Sequence, residues 1–433
     1  MSSVNIKSRL IGGSLWSLFG RGTKIVTAFV SVPLTLNYLG MERMGLWRLT
    51  LSMLAIVSLI QAGLVPHIKT RMTESFADGN LLQFKRYCSI GILLSVAILI
   101  LGLLVALSAQ FVNWASLMNV NDPIAQRETL PLVTVLLICS FAQISTSFIP
   151  AIFEARLSLS KPKIIELIAS LLSFGMLLVG IWLKVGLPLL AGVVSVPIII
   201  LRIGMLKEIK AEFPDVFQPK LRDVSPILKE LARPAIFSIG IQLNTVLIGA
   251  APSFIIARTL SLADVTLFSI CYQFITIPLI VLSAVVPVFW PAFTSLWRVG
   301  KKAELKKMFL MVCGVTFLVF SGYALCSGVI GPWLIKLWVG GEIAPTRSFL
   351  LLIGLFVIGK GLHCWLSTLL WSLKELRTLF LAELMQAVIV IVAGYFLVLR
   401  MGLSGIVLSM SIALYVGALF LMFNRVLKIF KAR

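Results

Sequence analysis

Charged residues are scarce in this sequence. Only 13% of the 433 residues are charged, against about 25% in a typical soluble domain. Hydrophobic residues make up 59% of the chain, and the mean hydropathy is +1.04. A water-soluble fold of this size cannot bury so much apolar surface, whereas a bilayer accepts apolar side chains directly. We therefore expect a membrane protein.

Residues that hold metals or perform catalysis are also few. The chain has two histidines, His67 and His363, and six cysteines with no C-x-x-C pair. P-loop and zinc motifs are absent, and no outer loop between the apolar segments is long enough for a catalytic domain. The sequence therefore predicts no catalytic residue, no metal site and no cofactor.

Long apolar segments recur along the whole chain. They are continuous and close to the roughly 20 residues that a spanning helix needs, without the alternation of barrel strands. This pattern predicts an all-α polytopic protein with about twelve transmembrane helices. The predicted spans are 12–36, 45–66, 87–108, 130–153, 164–184, 187–206, 235–257, 265–290, 308–332, 348–371, 379–399 and 403–423.

Basic residues are distributed unevenly between the loops. With the N-terminus placed inside, 27 of the 38 Lys and Arg residues fall in inner segments and seven in outer loops. The positive-inside rule then predicts that both termini are cytoplasmic. The net charge of +21 is thereby explained by topology and by contact with anionic membrane lipids, so we expect no nucleic-acid partner.

The chain matches itself when it is shifted by 221 residues. The matches place Gly79 on Gly300, Glu154 on Glu375, Ser17 on Ser238 and, after a four-residue gap, Glu166 on Glu383. The repeat unit is six helices, so the two halves enter the membrane in the same sense. We predict an N-lobe at 1–206, a basic amphipathic linker at 207–234 and a C-lobe at 235–433, with a substrate site between the lobes.

The first span carries one polar stripe at helical spacing. The stripe comprises Ser14, Ser17, Arg21, Lys24, Ala28, Ser31 and Thr35. A charge near mid-span costs at least about 2.5–3.5 kcal/mol, and no acid lies at comparable depth nearby in sequence. We therefore interpret Arg21 and Lys24 as anion ligands, with Ser17 and Ser31 in the cavity wall.

Other polar residues lie inside later spans. Ser238, Gln242 and Thr245 form an uncharged stripe in helix seven, which suits a hydroxyl-rich group. Arg48 and Lys360 are further candidates for a phosphate, because they are cations within predicted spans. Glu166, Glu383 and His363 are candidates for ion coupling, although a structural role at a helix N-terminus explains both carboxylates as well.

Three segments carry a resemblance to a known family. They are "LWSLFGRGTKIVTAFVSVPLTLNYLG", "MERMGLWRL" and "IQAGLVPHIKTRMTESFADGN". They resemble the N-terminal half of bacterial polysaccharide flippases, the O-antigen, capsule or exopolysaccharide exporters of the multidrug/oligosaccharidyl-lipid/polysaccharide (MOP) superfamily. Many relatives carry an acid where this chain has Gln61.

The resemblance implies a function and partners. It implies movement of an undecaprenyl-pyrophosphate-linked oligosaccharide across the bacterial inner membrane by alternating access. The pyrophosphate would meet Arg21, Lys24, Arg48 or Lys360, and polysaccharide assembly proteins are candidate partners. A multidrug or cation antiporter of the same superfamily is the main alternative, but it needs buried acids in helix one or seven. A membrane glycosyl polymerase or acyltransferase is the enzyme alternative, and it lacks a catalytic cluster here.

Overall fold

The computed structural model describes the backbone of residues 3–218, 221–340, 343 and 345–431. Within these ranges the side chains of 3–15, 17, 18, 221–223, 233, 234 and 237 are outside the description. Across the described residues helix is the only regular secondary structure, which confirms the all-α prediction. The chain divides into two compact units, Met1–Gln242 and Leu243–Arg433.

The described residues contain eleven helical segments that are long and apolar enough to cross a membrane. The first, Phe19–Ala77, has 59 residues, which is more than twice the roughly 20 residues of one span. It covers residues 19–36 of the first predicted span and the whole of the second, and its backbone leaves helical geometry at Gly40, where φ is 74°. The predicted spans and the observed helices therefore correspond, and this is a multi-pass membrane protein.

The described residues of the first unit form nine helices in chain order. They are α1 Ser3–Leu54, α2 Ser58–Ala77, α3 Leu81–Ser108, α4 Trp114–Leu117, α5 Pro123–Ser145, α6 Phe148–Ala155, α7 Ser160–Trp182, α8 Leu187–Glu212 and the start of α9 Leu221–Thr259. Their most extensive packing joins α1 to α7, α7 to α8 and α3 to α5. At Gly102 of α3 a Cβ atom would lie 2.3 Å from the Phe141 side chain of α5, so glycine permits this close approach.

The predicted linker at 207–234 is not a separate element. It contains the end of α8, a 3₁₀ turn at Pro214–Phe217 and the beginning of α9, which continues without a break to Thr259. Its acids pair with basic residues of the first unit: Asp215 lies 2.9 Å from Lys85, and Glu230 lies 2.6 Å from Arg71. These pairs attach the segment to the same end of the unit as the α2–α3 turn.

The second unit continues from α9, and its described residues form seven further helices. They are α10 Leu262–Ile275, α11 Ile277–Arg298, α12 Lys302–Val339, α13 Arg347–Ser372, α14 Leu376–Met401, α15 Leu403–Ile412 and α16 Phe420–Lys431, with a π-helical segment at Ala413–Leu419. The eighth predicted span is thus two helices, because Pro278 follows the break at Thr276 and cannot continue the α10 hydrogen bonds. Buried Trp365 donates its indole N–H to Thr316 Oγ1 at 2.7 Å.

Left-handed turn residues show where the two repeats are equivalent. Gly79 and Gly300 have φ of 72° and 77°, at the predicted offset of 221. The fourth predicted span of each half is also followed by a left-handed residue: Leu157 after α6 and Lys374 after α13. These two residues are 217 positions apart. The four-residue gap therefore falls before this turn, and the predicted match of Glu154 with Glu375 is not an equivalence in the structure.

Candidate functional site: a cationic cavity in the first unit

The polar stripe of α1 is stabilised by its own helix. Ser31 Oγ donates to Ala28 O at 3.0 Å. Thr35 likewise donates to Val32 O at 3.1 Å. Such bonds satisfy each hydroxyl within the helix, so Ser31 needs no external partner. The side chain of Ser17 lies outside the described residues.

Lys24 meets an acid that the local sequence did not reveal. Its Nζ lies 3.7 Å from Glu166 Oε2, which projects from the second turn of α7. Glu166 is also 3.5 Å from Lys163 Nζ. The sequence suggested no acid near Lys24 because the two residues lie on helices far apart in the chain. The packing of α1 on α7 brings them together.

The ion pairs continue from α7 into neighbouring helices. Lys163 Nζ lies 3.8 Å from Glu154 Oε1, at the end of α6. Glu154 Oε2 in turn is 2.9 Å from Lys69 Nζ on α2. Arg202 of α8 is the remaining cation, and it interacts electrostatically with both Glu166 and Glu154. We call these six residues the first-unit network: Lys24, Lys69, Lys163, Arg202, Glu154 and Glu166.

A cavity of about 370 Å³ opens beside the first-unit network. Lys69, Glu154, Glu166 and Arg202 contribute to its wall, together with small and polar residues of α2 and α6 and with Gln242 of α9. The network has four cations and two carboxylates, so its formal charge is two positive. Of the four cations, Lys69 and Arg202 line the cavity with both carboxylates, so the cavity wall itself carries no net charge; Lys24 and Lys163 lie beside it and supply the two positive charges. The network as a whole suits an anion with about two negative charges.

Helix α9 contacts α2 through a polar and an apolar pair. His67 Nε2 and Ser238 Oγ lie 3.0 Å apart. At Gly63 a Cβ atom would meet the Ile239 side chain at 2.7 Å, so the two helices approach closely there. Ser238 and Gln242, both predicted cavity residues, therefore lie on the α9 face that packs in the first unit.

The second unit has a smaller polar cluster. Thr245 Oγ1 donates to Glu383 Oε2 at 3.4 Å, and Lys360 interacts electrostatically with both Glu383 and His363. His363 is 5% exposed, and its Nδ1 lies 3.4 Å from Ser367 Oγ. Four residues predicted from sequence are thus brought together within this unit.

Arg21 and Arg48 are the remaining predicted ligands in the first unit. Arg21 is exposed on α1, one turn before Lys24, and Arg48 is half-buried beyond the bend at Gly40. Sequence reasoning missed Lys69, Lys163 and Arg202 as site residues, because each counted only as an inner-loop charge. The i,i+3 spacing of Lys163 and Glu166 was the available signal for an ion pair there.

Comparisons with known proteins identify the fold. No family model matches the chain, and no curated protein matches it. Among solved structures, it is similar to the inward-facing conformation of a multidrug resistance MATE family transporter of the MOP superfamily. That match has a TM-score of 0.78 and 14% identity and covers 97% of this chain and 100% of the other.

Two further structures show the same likeness. A MOP superfamily transporter from Pyrococcus furiosus, described as having a binding pocket of reverse polarity, gives a TM-score of 0.64 at 14% identity over 98% of this chain and 96% of the other. Lipid II flippase MurJ in an inward closed conformation gives a TM-score of 0.64 at 17% identity over 97% and 89%. The chain has the fold of MOP-superfamily transporters.

Proposed function

We propose that this protein is a flippase that exports an undecaprenyl-pyrophosphate-linked oligosaccharide, a repeat unit of O-antigen, capsule or exopolysaccharide, by alternating access. The observation that supports it best is the positive charge of the first-unit network around its cavity. A pyrophosphate diester carries about two negative charges, which complements the net charge of the network as a whole. The fold likeness to a lipid II flippase supports a lipid-linked substrate.

The proposal assigns roles to the predicted residues. Arg21 and Lys24 bind the pyrophosphate, with Arg48 as an additional cationic contact, while Gln242 and Ser238 bind sugar hydroxyls. An arginine fork can hold two phosphate oxygens at once, so Arg21 gives orientation as well as charge. The protein acts in the bacterial inner membrane with both termini cytoplasmic, beside polysaccharide assembly proteins, and performs no bond chemistry.

Deletion of the gene tests the function directly. Undecaprenyl-linked oligosaccharide should accumulate on the cytoplasmic leaflet, and surface polysaccharide should disappear. Restoring the wild-type gene should reverse both effects. Normal surface polysaccharide in the deletion strain, with no accumulated intermediate, would contradict the proposal.

A substitution series at Arg21 separates the flippase from a cation antiporter. One charge-assisted hydrogen bond contributes about 1.5–3 kcal/mol, so Arg21→Ala should reduce export about 10- to 150-fold. Arg21→Lys should retain part of the activity, and Arg21→Glu should be worse than alanine. Arg127→Ala, which removes an exposed arginine of α5, is the control. Normal export by Arg21→Ala and Arg21→Glu at matched protein levels would rule out this role.

A multidrug or cation antiporter is the second candidate. The MATE transporter has the higher TM-score, and Glu383 provides a carboxylate inside a span of the second unit. An antiporter predicts the reverse order at position 21, with the acidic variant tolerated. It also predicts that Glu383→Gln abolishes cation-driven drug efflux from everted membrane vesicles.

A further inference from the structure

We propose that Glu166, at the wall of the first-unit cavity, is a built-in counter-ion of Lys24. While no anion is bound, the Glu166 carboxylate neutralises Lys24. When a phosphate-bearing ligand binds Lys24, the carboxylate pairs with Lys163 instead. This inference rests on the proposed function, because it requires an anionic ligand at Lys24. It makes Glu166 a positioning residue that sets how tightly the ligand is held.

The first step of the argument is the position of Glu166. Its carboxylate lies between two ammonium groups, 3.7 Å from Lys24 and 3.5 Å from Lys163. The carboxylate is thus close to both lysines at once. If it loses its contact with one lysine, it is still paired with the other. Glu166 also lines the cavity, so a ligand entering there meets it directly.

The second step is the looseness of these contacts. Charge-assisted bonds between a cation and a carboxylate typically span about 2.7–2.9 Å. Within the same unit Arg43 and Glu128 show such a bond, with both nitrogen–oxygen distances at 2.7 Å. The two contacts of Glu166 are longer, so exchanging one lysine for the other breaks no strong hydrogen bond.

The third step is the accessibility of Lys24. Its side chain is 55% exposed, compared with 27% for Glu166. A phosphate can therefore approach the ammonium while the carboxylate stays against α7. An unpaired lysine within a membrane span is energetically unfavourable. Glu166 therefore stabilises the ligand-free protein and pairs with Lys24 again after the ligand leaves.

The second unit provides the internal contrast. Thr245 stands at the offset of 221 from Lys24, and Glu383 stands at the offset of 217 from Glu166. The contact between them is a hydroxyl–carboxylate hydrogen bond of 3.4 Å. On α9 the position equivalent to Lys24 is thus a hydroxyl, and the cation near Glu383 is Lys360 of α13.

Calorimetric titration of the purified full-length protein in phosphatidylcholine nanodiscs tests the proposal. The probes are farnesyl pyrophosphate, which is lipid-linked, and inorganic pyrophosphate, which is not. Glu166→Gln should tighten binding about three- to tenfold, equivalent to about 0.6–1.4 kcal/mol, and should slow release of the probe. Glu304→Gln, which removes an exposed carboxylate paired with Lys301 at 2.9 Å, is the control and should change neither quantity.

Two more variants distinguish exchange from a merely structural role. Lys163→Met removes the receiving lysine, so Glu166 should remain on Lys24 and binding should weaken about threefold. In the double variant Lys24→Met/Glu166→Gln the tightening should vanish, because the lysine whose charge Glu166 neutralises is then absent. A structural role predicts that every one of these changes weakens binding in proportion to lost stability.

The outcomes separate this inference from the proposed function. If the wild type binds farnesyl pyrophosphate and Glu166→Gln binds it no tighter, the counter-ion role is wrong and the flippase proposal stands. If Glu166→Gln binds inorganic pyrophosphate more tightly but not farnesyl pyrophosphate, Glu166 is a counter-ion for a free phosphate ligand. The proposal of a lipid-linked substrate is then wrong. If the folded wild type binds neither probe, both proposals fail.

Discussion

The two units place equivalent carboxylates beside helices of different chemistry. In the first, Glu166 meets the ammonium group of Lys24 at 3.7 Å, and in the second, Glu383 meets the hydroxyl of Thr245 at 3.4 Å. The repeat has thus kept the acid and changed its partner. A duplicated scaffold can therefore concentrate positive charge in one unit and leave the other to hydrogen-bonding groups.

The largest expected effect concerns the repeat itself. Asn80 and Lys301 occupy equivalent positions, at an offset of 221, so parallel repeats require them to face the same side of the membrane. Single cysteines at both positions should label only from the cytoplasm with an impermeant maleimide in intact cells. A cysteine at Asn121, in the next loop, should label only from outside. Labelling of 80 and 301 from opposite sides would contradict the parallel repeat, on which the comparison of the two units depends.

Exchange of charge at the paired positions is the next test. Lys24→Ala should reduce polysaccharide export about 10- to 150-fold, because it removes a charge-assisted bond of about 1.5–3 kcal/mol. Thr245→Ala removes only a neutral donor to Glu383, so export should fall less than about tenfold. Export is measured at matched protein levels in the membrane. Equal losses at the two positions would show that the units are not chemically asymmetric.

Much of the fold was accessible from the sequence, and the first-unit network was not. Apolar length predicted the helices, and the glycines at 79 and 300 marked equivalent turns. The pair of Lys24 and Glu166 depends on how α1 packs against α7, and no local pattern encodes that geometry. The gap between repeats was misplaced for a related reason: the match of Glu154 to Glu375 is a coincidence of residue type.

A third prediction compares the stability of one ion pair in each unit. Glu128 accepts two bonds from Arg43 and one from the Leu187 backbone N–H at 3.0 Å, and it is 16% exposed. Glu128→Gln should destabilise the protein by about 1.5–3 kcal/mol, since charged hydrogen bonds are lost in a half-buried place. Thermal unfolding in detergent measures the change.

The control for that experiment lies in the second unit. Glu375 also forms two bonds, to Arg425 at 3.1 and 2.7 Å, but this pair is solvent-exposed. Exposed pairs contribute little, so Glu375→Gln should leave the melting temperature nearly unchanged. A larger decrease in melting temperature for Glu375→Gln than for Glu128→Gln would contradict the inference that the Arg43–Glu128 pair stabilises the protein more than the Arg425–Glu375 pair.

The smallest expected effect concerns Gln386 of α14, whose counterpart at an offset of 217 is Ala169. Gln386 is fully buried, and within the described residues neither amide atom has a hydrogen-bond partner. A buried amide without a partner is unfavourable, so Gln386→Met should raise stability by about 1 kcal/mol. Gln126→Met should not stabilise, because the Gln126 amide donates to Val120 O at 2.7 Å. Thermal unfolding in detergent compares both variants with the wild type. If Gln386→Met lowers the melting temperature, the amide is bonded in the membrane, to water or to a ligand, and the second unit holds a polar site that the first replaces with alanine.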